Sequence, residues 1–166
     1  MIDELYLDRP VLALFPNFIG FGYALFNDEK AALYCGMVSI RIRNTDSFIE
    51  RIERMIKAYN PPVIILPTAT GKFNNKRERI QGLLAVISML ADKYGIVVKV
   101  YSREQIRTAF QQHQADTKQE IAEKISECLP EYKHRCPKRK RNSFTENYNQ
   151  GMFDAMSLAY THFYMS

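Results

Sequence analysis

Three strand-like runs joined only by turns occupy the first quarter of the chain, and this pattern restricts the fold more than any other feature. Residues 11–15 form a short apolar run, and 21–26 form a second one after the turn residues Pro16 and Gly20. In 31–43, apolar residues alternate with polar ones, as in a strand with one covered face. Strands linked this closely pair antiparallel, so the sequence predicts a three-stranded meander.

Helix-like and strand-like segments alternate in the rest of the chain. Two short helices are preceded by capping boxes, which Ser102 forms with Gln105 and Thr117 forms with Glu120. The predicted elements are a helix over 44–59, an apolar central strand over 63–66, a helix ending at Tyr94, a strand over 96–101, short helices ending near Phe110 and before Pro130, a basic surface loop over 131–147, and a final helix over 148–164.

A meander followed by two crossover strands predicts an α/β fold. We expect a mixed five-stranded sheet in the order 3-2-1-4-5, with helices on both faces. This arrangement places Phe15 and Leu66 on neighbouring central strands. The length of 166 residues suits one full hydrophobic core, so we expect a single domain over 1–166.

Cysteine usage and the N-terminal sequence bear on location. Three widely spaced cysteines without a CxxC pair fit a reducing compartment better than a disulfide framework. His134 and Cys136 have no second ligand pair at zinc spacing, so we predict no metal site there. The first ten residues contain no signal-peptide core, and no apolar run reaches the roughly 20 residues of a membrane span. We therefore expect a cytoplasmic protein without a membrane partner.

Four longer segments carry a family likeness. They are VLALFPNFIGFGYALF (11–26), PVIILPT (62–68), VYSREQIRTAFQQHQADTKQEIAEKI (100–125) and GMFDAMSLAYTHF (151–163). In order, spacing and wording these segments resemble RuvC-type Holliday-junction resolvases, which have an RNase H-like fold. The last segment is especially specific, because DAMSLAYTH follows the family pattern Asp-Ala-x-x-Leu-Ala-x-x-His. The resemblance implies an RNase H-like fold over nearly the whole chain.

The resemblance also implies a nuclease site, but most of its acids are missing. The family cuts DNA with metal ions held by four carboxylates. At the matching positions this chain has Phe15, Leu66 and Gly151, and only Asp154 remains. Two metal ions about 3.5–4 Å apart need several anionic oxygen ligands, which one carboxylate does not supply. We therefore expect a catalytically degenerate protein with no metal site and no cofactor.

Asp154 itself has two interpretations. It lies in a helix among apolar residues such as Phe153 and Met156. It is either a structural acid, hydrogen-bonded to the backbone or to a nearby base, or the remnant ligand of one weakly bound ion. The cost of burying an unpaired charge favours the structural interpretation.

Basic residues are concentrated in two clusters, a first one over 72–79 and a second one over 133–141, in a chain of net charge +5. Lysine and arginine side chains that neutralise phosphates give sequence-independent, salt-sensitive binding, although such runs are often only solvated surface. Lys118 also matches a lysine on the DNA-facing helix of the RuvC family. Tyr132 and Tyr148 flank the second basic cluster and are candidates for stacking on bases. The candidate nucleic-acid-binding residues are Lys72, Asn74, Lys76, Arg77, Arg79, Lys118, Lys133, Arg135, Lys138, Arg139, Lys140 and Arg141.

Three functions remain open at the level of sequence. The favoured one is a degenerate RuvC-like protein that binds branched or duplex nucleic acid, DNA rather than RNA. The alternatives are an active Mg²⁺-dependent endonuclease with a displaced acid set (Asp154, Asp116 and Glu146) and a protein-interaction or assembly subunit that keeps only the fold. The resemblance further implies a homodimer. Val86, Met89 and Lys93 lie outside the inward stripe of the helix that ends at Tyr94, so this helix either packs against a partner or is buried between the sheet and the C-terminal helices.

Overall fold

Five strands form one mixed sheet in the computed structural model, which describes residues 10–41, 45–69, 75–138 and 148–166. The strands are β1 Val11–Pro16, β2 Gly20–Asp28, β3 Ala31–Ser39, β4 Val63–Pro67 and β5 Val97–Tyr101. Their order is β3-β2-β1-β4-β5, with antiparallel pairing in the meander and parallel pairing of β1 with β4 and of β4 with β5. The predicted mixed sheet and its strand order are confirmed.

Helices cover both faces of this sheet. They are α1 Thr45–Tyr59, α2 Asn75–Lys93, α3 Arg103–Gln111, α4 Lys118–Cys128, the 3₁₀ helix Pro130–Arg135 and α5 Gln150–Met165. Both predicted capping boxes are present, because the Ser102 and Thr117 hydroxyls accept from the backbone N–H groups of Gln105 and Glu120. In the described part of the chain, no helix is both long and apolar enough to span a membrane.

The alternation of side chains along the strands produces two cores. Leu12 and Leu14 of β1 point to the face covered by α1 and α2, whereas Ala13 points to the face covered by α3, α4 and α5. Helix α5 is buried without interruption from Gly151 to Ala159, which is more than half of its length. A helix that is apolar on all sides belongs in a protein interior, which explains why α5 packs across the centre of the sheet.

Two glycines let α5 approach the sheet at main-chain distance. A Cβ atom on Gly22 of β2 would overlap the carbonyl group of Gly151. The first turn of α5 therefore rests on the backbone of β2 without an intervening side chain. This contact fixes the height at which the rest of α5, including Asp154, lies above the sheet.

The segment after α4 differs from the prediction. Residues 130–135 form a 3₁₀ helix instead of a loop, with Pro130 in its first turn. Tyr132 explains the difference, because its ring packs against the apolar core and its hydroxyl interacts with the Cys35 thiol. One apolar anchor in a basic stretch has no periodicity, so a search for periodic patterns misses it. Strand β3 also ends at Ser39, earlier than the predicted boundary at residue 43.

Candidate functional site

A small site lies at the carboxyl ends of β1 and β4, where the N-terminal halves of α3, α4 and α5 meet. It is lined by Phe15, Pro67, Thr68, Tyr101, Arg103, Ile106, Lys118, Asp154 and Ser157. The open space between these residues is only about 30 Å³. Such a volume holds about two or three water molecules.

Asp154 is the acid of this site, and both of its carboxylate oxygens have protein partners. Lys118 Nζ lies 3.3 Å from Oδ2, and Gln150 Nε2 donates to Oδ1 at 3.0 Å. The Asp154 side chain is only 10% exposed, so its charge needs these partners. These contacts are the ones that the interpretation of Asp154 as a structural acid bound to a nearby base expects.

Lys118 connects the acid to an aromatic ring. Its ammonium lies 5.4 Å from the centre of the Phe15 ring, within the range of a cation–π interaction. The cation is therefore held between the carboxylate of α5 and the ring of β1. The Lys118 side chain remains 47% exposed, so it also faces the solvent at the mouth of the site.

Arg103 adds a second cation to the lining. Burial lowers the pKa of its guanidinium, and the nearby Asp154 carboxylate partly offsets this effect. Arg103 Nη2 also donates to the backbone carbonyl of Asp116 at 3.3 Å. Two basic side chains thus stand against one acid in this site, which gives the lining a net positive charge.

The placement of Leu66 corrects one sequence-based expectation. Phe15 and Leu66 lie on paired strands, as predicted. Leu66, however, is buried in the core beneath α1 and α2, on the opposite face from Asp154. The β4 residue that lines the site is Pro67, because successive strand residues point to opposite faces. The register that pairs Ala13 with Ile65 determines this, and a single sequence does not reveal that register.

Gly151 lies beside the site, one helical turn before Asp154. A Cβ atom there would lie 2.5 Å from Asn17 Nδ2 and 2.6 Å from Met37 Sδ. Asn17 is itself held in the turn after β1, since its Oδ1 accepts from the N–H groups of Ile19 and Gly20 at 2.9 and 3.0 Å. Any side chain at position 151 would therefore have to displace these neighbours.

One of the proposed displaced acids, Asp116, does not join Asp154. Asp116 lies outside the lining of the site and is bound by Arg107, whose Nε and Nη2 donate to its two oxygens at 2.7 and 3.0 Å. This pairing holds the pKa of Asp116 below its ordinary value. Glu146 lies outside the described residues. Among those that are described, no three His, Cys, Asp or Glu side chains are grouped closely enough to hold a metal ion.

Several candidate DNA-binding residues lie at the same end of the sheet as the site, where β1, β3 and β4 finish. Lys76, in the first turn of α2, places its ammonium 5.0 Å from the ring centre of Phe18, a half-exposed residue in the turn after β1. Tyr148, which is 48% exposed, contacts Ser39 at the end of β3 through the two hydroxyl oxygens, 3.0 Å apart. Sequence reasoning missed Phe18, and its position in the turn PNFIG was the available signal.

The remaining candidates are distributed as follows. Arg79, Lys133 and Lys138 are exposed, whereas Arg77 is half-buried. Arg135 donates to Asn149 Oδ1, from Nε at 3.2 Å and from Nη2 at 2.9 Å, next to the start of α5. The candidates that lie outside the described residues are Lys72, Asn74, Arg139, Lys140 and Arg141.

Comparison with known proteins finds likeness at the level of structure. No protein-family model matches the chain, and no curated protein matches it. The RuvC of Thermus thermophilus in complex with a Holliday-junction substrate superposes with a TM-score of 0.71 at 17% identity, over 94% of this chain and 93% of that one. A second Thermus thermophilus RuvC structure gives 0.71 at 18% identity, over 94% of both chains.

Two more distant resolvases share the architecture. The yeast mitochondrial Holliday-junction resolvase has a TM-score of 0.66 at 13% identity, over 96% of this chain and 79% of that one. The fowlpox virus resolvase, solved with its Holliday-junction DNA, has a TM-score of 0.54 at 14% identity, over 93% and 97%. Identities this low speak for the fold alone. The chain therefore has the RNase H-like fold of the RuvC-type resolvases.

Proposed function

We propose that the protein is a catalytically inactive RuvC-like module that binds branched or duplex DNA. One observation carries the first half of this proposal. The single carboxylate in the described lining of the site, that of Asp154, is already bound on one oxygen by Lys118 and on the other by Gln150.

The residues of the site do not fit a pair of divalent metal ions. Such ions need several carboxylate or other oxygen ligands in a space large enough for metals, water and a phosphodiester. Here β1 and β4 contribute Phe15 and Pro67, and the ammonium of Lys118 lies next to the remaining acid. A dication would meet this ammonium at close range, and the Coulomb repulsion opposes its binding.

The residues at the end of the sheet around the site support the second half of the proposal, DNA binding. Lys76, Arg79 and Lys118 are exposed or half-exposed cations, which suits phosphate contacts. Lys76 lies 5.0 Å from the ring centre of the exposed Phe18, which suits base stacking. Phe18 and Tyr148 supply the rings at this end. Two of the solved resolvases with this fold contain Holliday-junction DNA, which makes a four-way junction a sensible first ligand.

Binding and cleavage assays test the two halves separately. We expect a labelled four-way junction and a duplex of the same length to bind with micromolar-range dissociation constants that rise steeply with salt. We expect no cleavage product with Mg²⁺ or Mn²⁺, even at saturating protein. Metal-dependent cleavage that disappears in Asp154→Asn would overturn the catalytic half. Failure to retain any DNA at low salt would overturn the binding half and favour an assembly subunit that keeps only the fold.

A further inference from the structure

A second, larger pocket lies at the opposite end of the sheet. Its volume is about 350 Å³, within the range of small-molecule sites. The last turns of α3, α4 and α5 form its walls, and Glu29 and Lys30 from the turn between β2 and β3 form its rim. The Asp154 site lies in the N-terminal halves of these three helices, and this pocket lies at their C-terminal ends. The two sites are therefore at opposite ends of the same helices.

The ends of three helices contribute partial negative charge to the walls of this pocket. The last carbonyl groups of an α-helix carry a partial negative charge, which proteins commonly balance with Lys or Arg in the last turn. Helices α3 and α4 have no basic residue in that turn, and α5 has only His162. The His162 imidazole is bound to Tyr101, with Nδ1 2.9 Å from the hydroxyl oxygen, and burial lowers its pKa, which favours the neutral imidazole.

The apolar lining adds aromatic rings to this partial negative charge. Tyr160 packs edge-on against Phe110, with ring centres 6.0 Å apart, and Tyr164 presents a half-exposed ring at the mouth. Burial raises the pKa of the Tyr160 hydroxyl, and the Glu131 and Glu29 carboxylates raise it further. The charged side chains of the lining are Glu29 and Lys30, which have opposite signs at the rim, and His113, just beyond the end of α3, is a further titratable group.

We propose that this pocket binds a small organic amine, with its ammonium at the helix ends and its apolar body against the aromatic rings. A cation gains both from the carbonyl ends and from the π faces. An anion would be repelled both by the helix-end carbonyl groups and by the π faces of the aromatic rings. A neutral ligand of the same shape would gain only the apolar contacts, so the ammonium group is the feature that the pocket selects.

Three probes of one shape test this selection. Benzylammonium, benzyl alcohol and benzoate differ mainly in charge, and each is titrated at constant ionic strength while amide NMR shifts are followed. We expect the amides of Lys30, Gln112 and Tyr164 to respond, with benzylammonium binding about tenfold more tightly than benzyl alcohol. Equal affinities for benzylammonium and benzyl alcohol, or shifts at acidic residues all over the protein surface, would overturn the proposal.

A variant that supplies its own cation sharpens the test. Gln112 caps the C-terminus of α3 and lines the pocket, so Gln112→Lys places an ammonium at the helix ends without disturbing the core. We expect it to weaken benzylammonium binding about tenfold while leaving benzyl alcohol unchanged. Glu50→Gln, on the exposed surface of α1, is the control and should bind as the parent does. Parental affinity in Gln112→Lys would contradict the proposal.

Discussion

Lys118 and Asp154 form an ion pair of 3.3 Å that joins the first turn of α4 to the second turn of α5. The acid is almost fully buried, whereas the base is half exposed and also contacts the Phe15 ring. Removing the lysine and removing the acid should therefore have different effects on the stability of the fold. Loss of the lysine leaves a buried charge short of a partner, and loss of the acid leaves a lysine that water can solvate.

The first prediction uses this inequality. Lys118→Met should lower the free energy of unfolding by about 1–3 kcal/mol, because Asp154 then keeps only Gln150. Adding Asp154→Asn should restore most of that loss, since a neutral amide needs no counter-ion. Urea unfolding measures both variants. Lys124→Met, which removes a pair with the exposed Glu127, should change stability by less than about 1 kcal/mol. Equal losses in the two lysine variants would contradict the prediction.

The second prediction concerns two glycines of opposite character. Gly22→Ala should destabilise the protein by about 3 kcal/mol or more, because the new methyl group meets the main chain of Gly151. Gly82→Ala should stabilise it by about 0.5–1 kcal/mol, because Gly82 lies inside α2 with open space around it. Thermal unfolding of both variants checks the pair. A stable Gly22→Ala variant would show that α5 shifts easily on the sheet.

The third prediction concerns alkaline pH. Burial raises the pKa of the Cys35 thiol from 9.0 to about 12. Between these values the unfolded chain has lost the thiol proton while the folded chain keeps it, so the free energy of unfolding falls as pH rises. At pH 10 the contribution is about 1 kcal/mol. Urea unfolding at two pH values should show a shallower fall in Cys35→Ala than in Cys128→Ala, which removes an exposed thiol. Identical slopes would be the contrary result.

The fourth prediction concerns DNA binding through the second basic cluster. Replacing four of its residues by Gln should weaken binding and reduce the slope of log affinity against log salt by up to about four contacts. The residues are Lys138, Arg139, Lys140 and Arg141. A matched control replaces four exposed basic residues on α1 and α2, and it should bind nearly as the parent does. These are Arg51, Arg54, Lys57 and Lys93. Equal slopes in the two variants would mean that the cluster makes no phosphate contact.

The fifth prediction tests the homodimer. Val86 packs against the core, but Met89 on α2 is 72% exposed and supplies the apolar contact that the hypothesis needs. Light scattering at micromolar concentration should then give twice the chain mass for the parent and a monomer for Met89→Lys. A monomeric parent, unchanged by added DNA, would remove the hypothesis.

The sheet was predictable from sequence because its signals are local. Turn residues separate the strands of the meander, and capping boxes mark the starts of α3 and α4 at Ser102 and Thr117. The features that the sequence did not predict depend on contacts between residues far apart in the chain. Tyr132 folds the 3₁₀ helix by reaching Cys35, nearly one hundred positions earlier in the chain, and no local pattern encodes that contact.

The site was predictable only in part. The sequence pointed to Phe15, Lys118 and Asp154, and these three residues do meet. It assigned the β4 position to Leu66 rather than Pro67, because the side of the sheet that a residue faces depends on strand register. The contact between Lys118 and the Phe15 ring was not predictable, since it requires the three-dimensional approach of α4 to β1.

The glycine contact between β2 and α5 has a consequence for how such a site changes over time. Main-chain atoms at Gly22 and Gly151 set the position of the helix, so the position does not depend on the charges at its surface. Substitutions at Phe15, Pro67 or Lys118 can alter the chemistry of the cleft while the architecture stays as it is. A helix seated in this way gives the cleft a fixed geometry, on which the side chains at the surface can be exchanged independently.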